Sequence, residues 1–192
     1  MTAAEPASAN AAAVAALIRA RRTIHDFTAR LPPRALVLEA LDAARWAPNH
    51  HRTEPWRFTL LGPQAIARVI DLNTELVRAK SGDVAAARKR ARWEAVPGWL
   101  VVTCVRSEDP VREREDYAAC CCAVQNFALA LWAAGVGSKW STGKVTRDPH
   151  FMAAIGADAE REFCVGLVWY GYAAEVPAQS RRPLAEVLRD VG

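Results

Sequence analysis

The sequence has little lysine and no paired cysteine motif. Only four of its 25 basic residues are lysine; the rest are arginine, scattered along the chain, and the net charge is +4. Scattered arginine does not predict a nucleic-acid-binding stripe, but the planar guanidinium is well suited to binding phosphate. The five cysteines include no CxxC pair and are odd in number. This argues against a zinc knuckle or a disulfide framework and predicts a reducing, cytoplasmic location.

Several catalytic motifs are also missing. The chain has no Walker motif, no G-x-S-x-G and no H-E-x-x-H. The stretch from Gly135 to Gly137 begins like a dinucleotide fingerprint, but it follows a helical pattern and Trp140 occupies the third glycine position. We therefore predict a helix C-cap at Gly135.

The histidines do not predict a metal site. His25, His50 and His51 have no acidic or cysteine partner at ligand spacing in the sequence. For the pair His50-His51 two interpretations stay open, an ordinary exposed loop and a loop that contacts a ligand.

The length of 192 residues, 52% of them hydrophobic, predicts one domain with its own core. We expect residues 1–10 to be a disordered lead and residues 11–192 to form the domain. The apolar run near the N-terminus precedes the basic residues, the reverse of a secretory signal.

Periodicity and capping signals predict helices over 11–20, from 32 to before Pro48, over 64–80 and over 113–134, with an exposed helix or mobile excursion over 81–96. Apolar runs predict strands over 56–61, 99–105 and 163–170, the last two buried on both faces. The fold class is α+β, with helices packed around a small central sheet.

The long helix is apolar on nearly every side. Between residues 117 and 135 the strongly polar side chains are Gln125 and Asn126. Such a pair is unfavourable in lipid, and alanine and cysteine make the segment only weakly hydrophobic. We therefore predict a buried centre or a subunit interface rather than a membrane span. The adjacent cysteines 120–122 are expected to be small buried apolar residues.

Arg21-Arg22-Thr23 lies where the first helix ends. One interpretation is a basic helix C-terminus that is favourable against the helix dipole. The other is a phosphate clamp of two guanidinium groups and a hydroxyl. The local sequence supports both equally.

Six segments of the chain carry a recognisable pattern in a fixed order. They are Arg21-Arg-Thr-Ile-His-Asp-Phe27, Ala44-Arg-Trp-Ala-Pro-Asn-His50 with Glu54-Pro-Trp-Arg-Phe58, Asp116-Tyr117-Ala118, Gln125-Asn126, Gly135-Val-Gly-Ser-Lys-Trp-Ser-Thr-Gly143 and Arg181-Arg-Pro-Leu184. In this order and spacing they resemble the flavin-dependent nitroreductase family. The resemblance covers about residues 15–190 and is strongest to the short, single-domain members. Departures from the family pattern are Glu54 for the usual Gln, Arg52 for Asn, and His25 for a basic residue.

The resemblance implies a mainly antiparallel sheet and a homodimer with FMN at the subunit interface and the long helix at that interface. It implies that Arg21, Arg22 and Thr23 bind the phosphate and ribityl chain. Arg181 or Arg182 of the C-terminal tail would reach the phosphate, and we choose Arg181. Pro48, Asn49 and His50 would come from the other subunit to cover the ring. Trp140, Ser141 and Thr142 would line the ring or ribityl chain.

The activity implied by the resemblance is hydride transfer from NAD(P)H through the flavin N5 to a nitroaromatic, a quinone or a related electrophile. The lack of a catalytic dyad is consistent with this, because the cofactor carries the chemistry. Two alternatives remain: another flavoenzyme on the same fold, such as a reductive dehalogenase or a flavin-consuming enzyme, and a non-catalytic FMN-binding or storage protein.

Overall fold

The computed structural model describes residues 10–191, so most of the predicted lead lies outside the described residues. The helices are α1 Ala11–Ala20, α2 Arg34–Ala44, α3 Pro63–Glu94, α4 Pro110–Ala133 and α5 Phe151–Ile155. The strands are β1 Trp56–Leu60, β2 Gly98–Val105, β3 Gly137–Ser141 and β4 Glu162–Gly171.

The four strands form one sheet in the order β1-β2-β4-β3, and every neighbouring pair is antiparallel. This confirms the predicted α+β class with a mainly antiparallel sheet. The chain between α1 and α2 runs along the outer edge of β3. There Thr23 forms an isolated parallel bridge with Ser138, and the Ile24 amide donates to the Ser138 carbonyl at 3.0 Å. The Arg21-Arg22-Thr23 segment is therefore fixed beside β3.

The sheet carries an apolar core on each face. Alternate residues of β2 point to opposite faces: Leu100 and Val102 pack with α2 and α4, whereas Trp99 and Val101 pack with α3 and α5. A strand in this position has to be apolar throughout. The prediction that the 99–105 run is buried on both faces is confirmed.

The predicted helices are confirmed where local capping signals exist. The Asn10 side chain accepts from the Ala13 amide at 3.2 Å and begins α1. Gly135 has a φ of 76°, and its amide donates to the Trp132 carbonyl at 3.0 Å. The amide of Val136 donates to the Leu131 carbonyl at 2.9 Å, which completes a Schellman motif at the end of α4.

Two features of the helices differ from expectation. Of the two conformations expected for 81–96, the helix is confirmed and the mobile excursion is not: the chain continues α3 to Glu94 past a kink at Gly82, whose φ is 79° and ψ 175°, but this helix is not exposed on every side. Its inner face is buried because Trp93 enters the core. In α4, Cys120 is buried as predicted, but Cys122 is exposed, since only one side of this helix packs on the sheet. Within residues 10–191, no helix combines the length and apolarity needed to cross a membrane.

Candidate active site

A cationic cleft opens at the end of α1. It has a volume of about 490 Å³. Among the ion pairs of the described chain, none involves Arg21, Arg22 or Arg181. Burial, followed by the charges of Arg181 and Arg22, lowers the pKa of Arg21. The positive charge in this arginine cleft is therefore not neutralised by the protein. Its lining residues are Ile18, Arg19, Arg21, Arg22, Gln125, Gln179 and Arg181.

The two interpretations of the arginine turn apply to different residues. The Arg22 guanidinium donates to the carbonyls of Arg19 and Arg21, at 2.5 and 3.0 Å, and so satisfies the end of α1. The Arg21 guanidinium has no hydrogen-bond partner within residues 10–191. In the C-terminal tail, Arg181 rather than Arg182 lines the cleft. Arg181 donates from Nη1 to the Ser180 carbonyl at 3.1 Å, and Arg19 also lines the cleft without an ion pair within residues 10–191. Of the cleft arginines that the sequence analysis selected, Arg21 is thus the one whose guanidinium makes no hydrogen bond to the described chain.

A second, smaller pocket adjoins the arginine cleft and shares two of its residues, Arg21 and Gln125. Its volume is about 190 Å³. Gln125 was not among the predicted site residues, although a lone polar pair in an apolar helix is a signal that could have found it. The residues lining this Trp140 pocket are Arg21, Thr23, Val124, Gln125, Ala128, Ser138, Trp140 and Val168.

A β-bulge in β4 positions the Trp140 indole. The register of β2 on β4 shifts between Val102, which lies opposite Gly166, and the next residue, which lies opposite Cys164. Val165 is therefore left out of the ladder, and its carbonyl accepts from the Trp140 indole Nε1 at 3.3 Å. The ring lies against Gly166, where a Cβ would fall 1.9 Å from Nε1. Only glycine at this position accommodates the indole.

The three predicted site residues 140–142 do not face the same way, because successive side chains of a strand point to opposite faces of the sheet. Trp140 lies on the α4 side of β3, whereas Ser141 and Lys139 line a cavity on the α3 side. Thr142 lines none of these cavities, and its carbonyl accepts from Arg147 Nη2 at 3.2 Å. The three residues thus do not share one surface.

The cavity on the α3 side, about 770 Å³, is larger than the arginine cleft and the Trp140 pocket and is strongly basic. Its walls include all four lysines of the sequence together with Arg88 and Arg92. Asp26 pairs with Arg92 at 3.0 Å. Burial and the charges of Lys89 and Arg92 lower the pKa of Lys139. The four lysines of this lysine cavity are Lys80, Lys89, Lys139 and Lys144.

Buried donors without acceptors surround the same cavity. Within residues 10–191, three buried side-chain nitrogens have no hydrogen-bond partner: Asn73 Nδ2, Trp93 Nε1 and Trp169 Nε1. All three residues line the lysine cavity. Leaving a buried donor unsatisfied costs about 1–3 kcal/mol. The three nitrogens themselves are buried in the wall, so it is the unpaired cations of the cavity that suit a ligand rich in hydrogen-bond acceptors.

The extended segment 21–25 links the arginine cleft to the lysine cavity. Arg21 lies in the cleft, Thr23 lies in the Trp140 pocket, and the Nδ1 atom of His25 is 3.3 Å from Lys139 Nζ. At about 3.3 Å per extended residue, the segment spans about 13 Å. His25 stands where the family often has a basic residue, and Lys139 supplies a cation beside it. Burial, then Lys139 and Arg92, lowers the pKa of His25.

The Pro48-Asn49-His50 loop lines none of these three cavities of its own chain. Asn49 Oδ1 accepts from the Glu54 amide at 2.7 Å, and Asn49 Nδ2 donates to Thr53 Oγ1 at 3.1 Å and to the buried Asp116 at 3.4 Å. The Asn49 side chain thus holds the loop in shape, while Pro48 and His50 are exposed.

This loop is strained. Three of its non-glycine residues have positive φ: His51 at 61°, Arg52 at 53° and Glu54 at 45°. Each such residue costs on the order of 1–3 kcal/mol, and such strain clusters at functional sites. Two of the three, Arg52 and Glu54, are also among the three positions where the sequence departs from the family pattern.

The fold also brings an acid to the histidines that sequence spacing could not reveal. His50 Nδ1 lies 2.9 Å from Glu115 Oε2, and the ligand atoms of His50, His51 and Glu115 lie within 4.8 Å of one another. The two imidazole rings stack at 3.8 Å between centroids. The absence of a metal site stays a prediction.

Comparison with known proteins identifies the family. The model of the Nitroreductase family matches residues 18–172. The chain belongs to the nitroreductase family. This confirms the resemblance drawn from the six sequence segments.

Relatives of this nitroreductase-family chain include YfhC of Bacillus subtilis strain 168, named as an NAD(P)H nitroreductase. The two are 30% identical over 170 residues, which cover 86% of this chain and 87% of YfhC. A nitroreductase-like protein from Bacillus cereus has a similar structure, with a TM-score of 0.81, 31% identity, and coverage of 100% of this chain and 98% of that one. A nitroreductase from Desulfovibrio desulfuricans, solved in complex with FMN, has a TM-score of 0.74, 26% identity, and coverage of 93% and 96%.

Proposed function

We propose that this protein is an FMN-dependent oxidoreductase that takes hydride from NAD(P)H and reduces nitroaromatics, quinones or related electrophiles in a ping-pong reaction. The observation that carries the proposal is the unneutralised arginine cleft joined to the lysine cavity by segment 21–25. The FMN complex of the Desulfovibrio relative and the name of YfhC support the choice of cofactor and hydride donor.

The arginine cleft fits the phosphate end of FMN. A terminal phosphate is a dianion, and guanidinium groups bind it with charge-assisted, often bidentate hydrogen bonds. Arg21 and Arg181 would hold the phosphate, with Arg22 adding charge from the end of α1. Thr23, two residues along, would meet the ribityl hydroxyls. The donor set therefore matches this part of the cofactor.

The other end of segment 21–25 fits a ring rich in acceptors. Trp140 and Ser141 would line the ring or ribityl chain from either side of β3, with Thr142 contributing main-chain atoms. Lys139, beside His25, places positive charge there. FMN, when bound, supplies the hydride-accepting and hydride-donating N5 atom. The residues of this chain bind, orient and place charge, so no side chain is proposed as catalytic.

A homodimer completes the proposed site. The loop around Pro48 and His50 is exposed and leaves the cavities of its own chain uncovered, and the adjoining Trp46 is 75% exposed. Ala118 and Cys122, one turn apart on α4, form an unpacked surface of small side chains. We propose that two copies pair through this side of α4, and that Pro48, Asn49 and His50 of each copy cover the ring held by the other.

The first test is the identity of the bound flavin. The purified protein should be yellow and release FMN rather than FAD on denaturation, since the arginine cleft suits one terminal phosphate. Chromatography of the released cofactor measures this. Release of FAD, or no flavin uptake after reconstitution, would refute the proposed function.

The same sample separates the alternatives. Under anaerobic conditions NAD(P)H should bleach the flavin absorbance, and a nitroaromatic should restore it. A storage protein would not bleach. A reductive dehalogenase would release halide from a halogenated phenol instead of reducing the nitro group.

Dimer stability should depend on FMN. If both subunits contact each ring, FMN binds the dimer better than the monomer and stabilises it by mass action. Sedimentation of the apo- and FMN-loaded protein should show dissociation at a higher protein concentration without FMN. A monomer that retains FMN at low micromolar concentration would contradict this arrangement.

A further inference from the structure

The α3 wall of the lysine cavity is formed by a kinked helix. Gly82 has a φ of 79°, which a residue with a side chain adopts only with strain. The turn folds the two halves of α3 so that Lys80 before it and Arg88 and Lys89 after it line the same cavity. The kink therefore brings three cations to one wall, apart from Lys139 and Lys144 on the β3 side.

The cations of α3 differ in whether they form ion pairs and in whether they line the lysine cavity. Arg78 pairs with Glu75 and Asp83, and Arg90 pairs with Asp71 and Glu94; neither arginine lines the cavity. Lys80, Arg88 and Lys89, which do line it, take part in none of the ion pairs of residues 10–191. Arg92 also lines the cavity but pairs with Asp26, so Lys80, Arg88 and Lys89 are the cavity-lining cations of α3 that no carboxylate neutralises within the described residues.

The cofactor does not account for these three cations. FMN carries one phosphate, for which Arg21 and Arg181 are proposed in a different cleft. Leu76 and Val77 of α3 also line the cavity and add apolar surface to this wall. A wall of this kind suits a phosphorylated ligand that also has a flat, apolar part.

We infer that Lys80, Arg88 and Lys89 form an anion subsite for the 2′-phosphate of NADPH, so that the protein selects NADPH over NADH. The inference rests on the proposed function, which supplies the nicotinamide donor. The two donors differ only in this phosphate, and each charge-assisted hydrogen bond to it changes affinity about tenfold or more.

A double variant tests the subsite in the FMN-loaded full-length protein. Lys80→Gln with Arg88→Gln removes two charges while keeping good helix-forming side chains. We expect the ratio of kcat/KM for NADPH to that for NADH, from anaerobic flavin reduction, to fall about ten- to a hundredfold, through a higher KM for NADPH. Arg90→Gln is the matched control, because it removes a charge from the same half of α3 outside the cavity, and the ratio should not change.

A binding measurement does not depend on turnover. Calorimetric titration should show that the wild-type protein binds adenosine 2′,5′-bisphosphate more tightly than adenosine 5′-monophosphate, and that the double variant loses this difference. Equal binding of the two by the wild type would overturn the subsite, and so would an unchanged nucleotide ratio in the variant while NADH still reduces the flavin. If the double variant loses activity only toward electron acceptors that carry a carboxylate, the cations bind the acceptor rather than NADPH, and the inference is also overturned. If neither nucleotide reduces the wild-type flavin, the proposed function fails, and the titration still decides whether the phosphate subsite exists.

Discussion

Arg21→Ala is expected to weaken FMN binding about ten- to a hundredfold, while protein saturated with FMN keeps most of its turnover. The Arg21 guanidinium is partly buried, has no carboxylate partner among the described residues, and lies beside Arg181. A charge-assisted hydrogen bond contributes about 1.5–3 kcal/mol, and each 1.4 kcal/mol is about tenfold in affinity. Turnover is largely kept because the arginine cleft lies at the far end of segment 21–25 from Lys139.

Arg45→Ala is the matched control for this experiment. Arg45 is the C-cap of α2, as Arg21 is of α1, but Arg45 is ion-paired with Asp42 at 2.6 Å. Fluorescence titration with FMN should show unchanged affinity in Arg45→Ala. If Arg21→Ala also binds FMN normally, Arg21 has only the role of a helix-end cation, worth about 0.3–1 kcal/mol of stability.

The sequence predicts those parts of the fold that local signals determine. Asn10 and Gly135 cap their helices through contacts within a few residues, so the ends of α1 and α4 could be placed from the sequence. The run 99–105 is buried on both faces, so nearly every position in it is apolar, and this continuous apolar run can be recognised in the sequence.

Strand β3 could not be predicted in this way. Its five residues, Gly137 to Ser141, include a glycine, a lysine and two serines and show no strand pattern. Their conformation is fixed by β4 on one side and by the bridge to Thr23 on the other. A strand that depends on such distant partners has little propensity of its own.

Some residues of the candidate site could likewise be predicted from the sequence, and others are brought together only by the fold. Arg21 and Arg181 could be predicted because the family motifs contain them, and the structure places them together. The lysine cavity joins residues far apart in sequence, such as Lys80 and Lys139, because α3 packs across the sheet face from β3, and the kink at Gly82 adds the second half of α3 to the same wall. A count shows that lysine is scarce, but only the fold shows that all four lysines face one cavity. Asp116 holds the Asn49 loop from 67 residues away, which no local spacing reveals.

Gly166→Ala is expected to destabilise the protein and to weaken FMN binding at least tenfold. The new Cβ would lie 1.9 Å from Nε1 and 2.4 Å from Cδ1 of Trp140, so the indole has to move. Moving it breaks the hydrogen bond to the Val165 carbonyl and changes the shape of the pocket that Thr23 and Arg21 share. Overpacking of this kind costs about 1–3 kcal/mol, and at this chain length each kcal/mol lowers Tm by about 2–4 °C.

Four proteins are compared by thermal unfolding and FMN titration: the wild type, Gly166→Ala, Trp140→Ala and the double variant. The comparison distinguishes a clash between the new Cβ and the Trp140 indole from a general weakening of β4. In a Trp140→Ala background the atoms that clash are gone, so adding Gly166→Ala should then change Tm by a small fraction of its effect in the wild type. A coupling of this size is expected between residues in contact. If the two substitutions instead lower Tm additively, the glycine is needed for the bulge itself, and the close approach of the Trp140 indole is not what selects it.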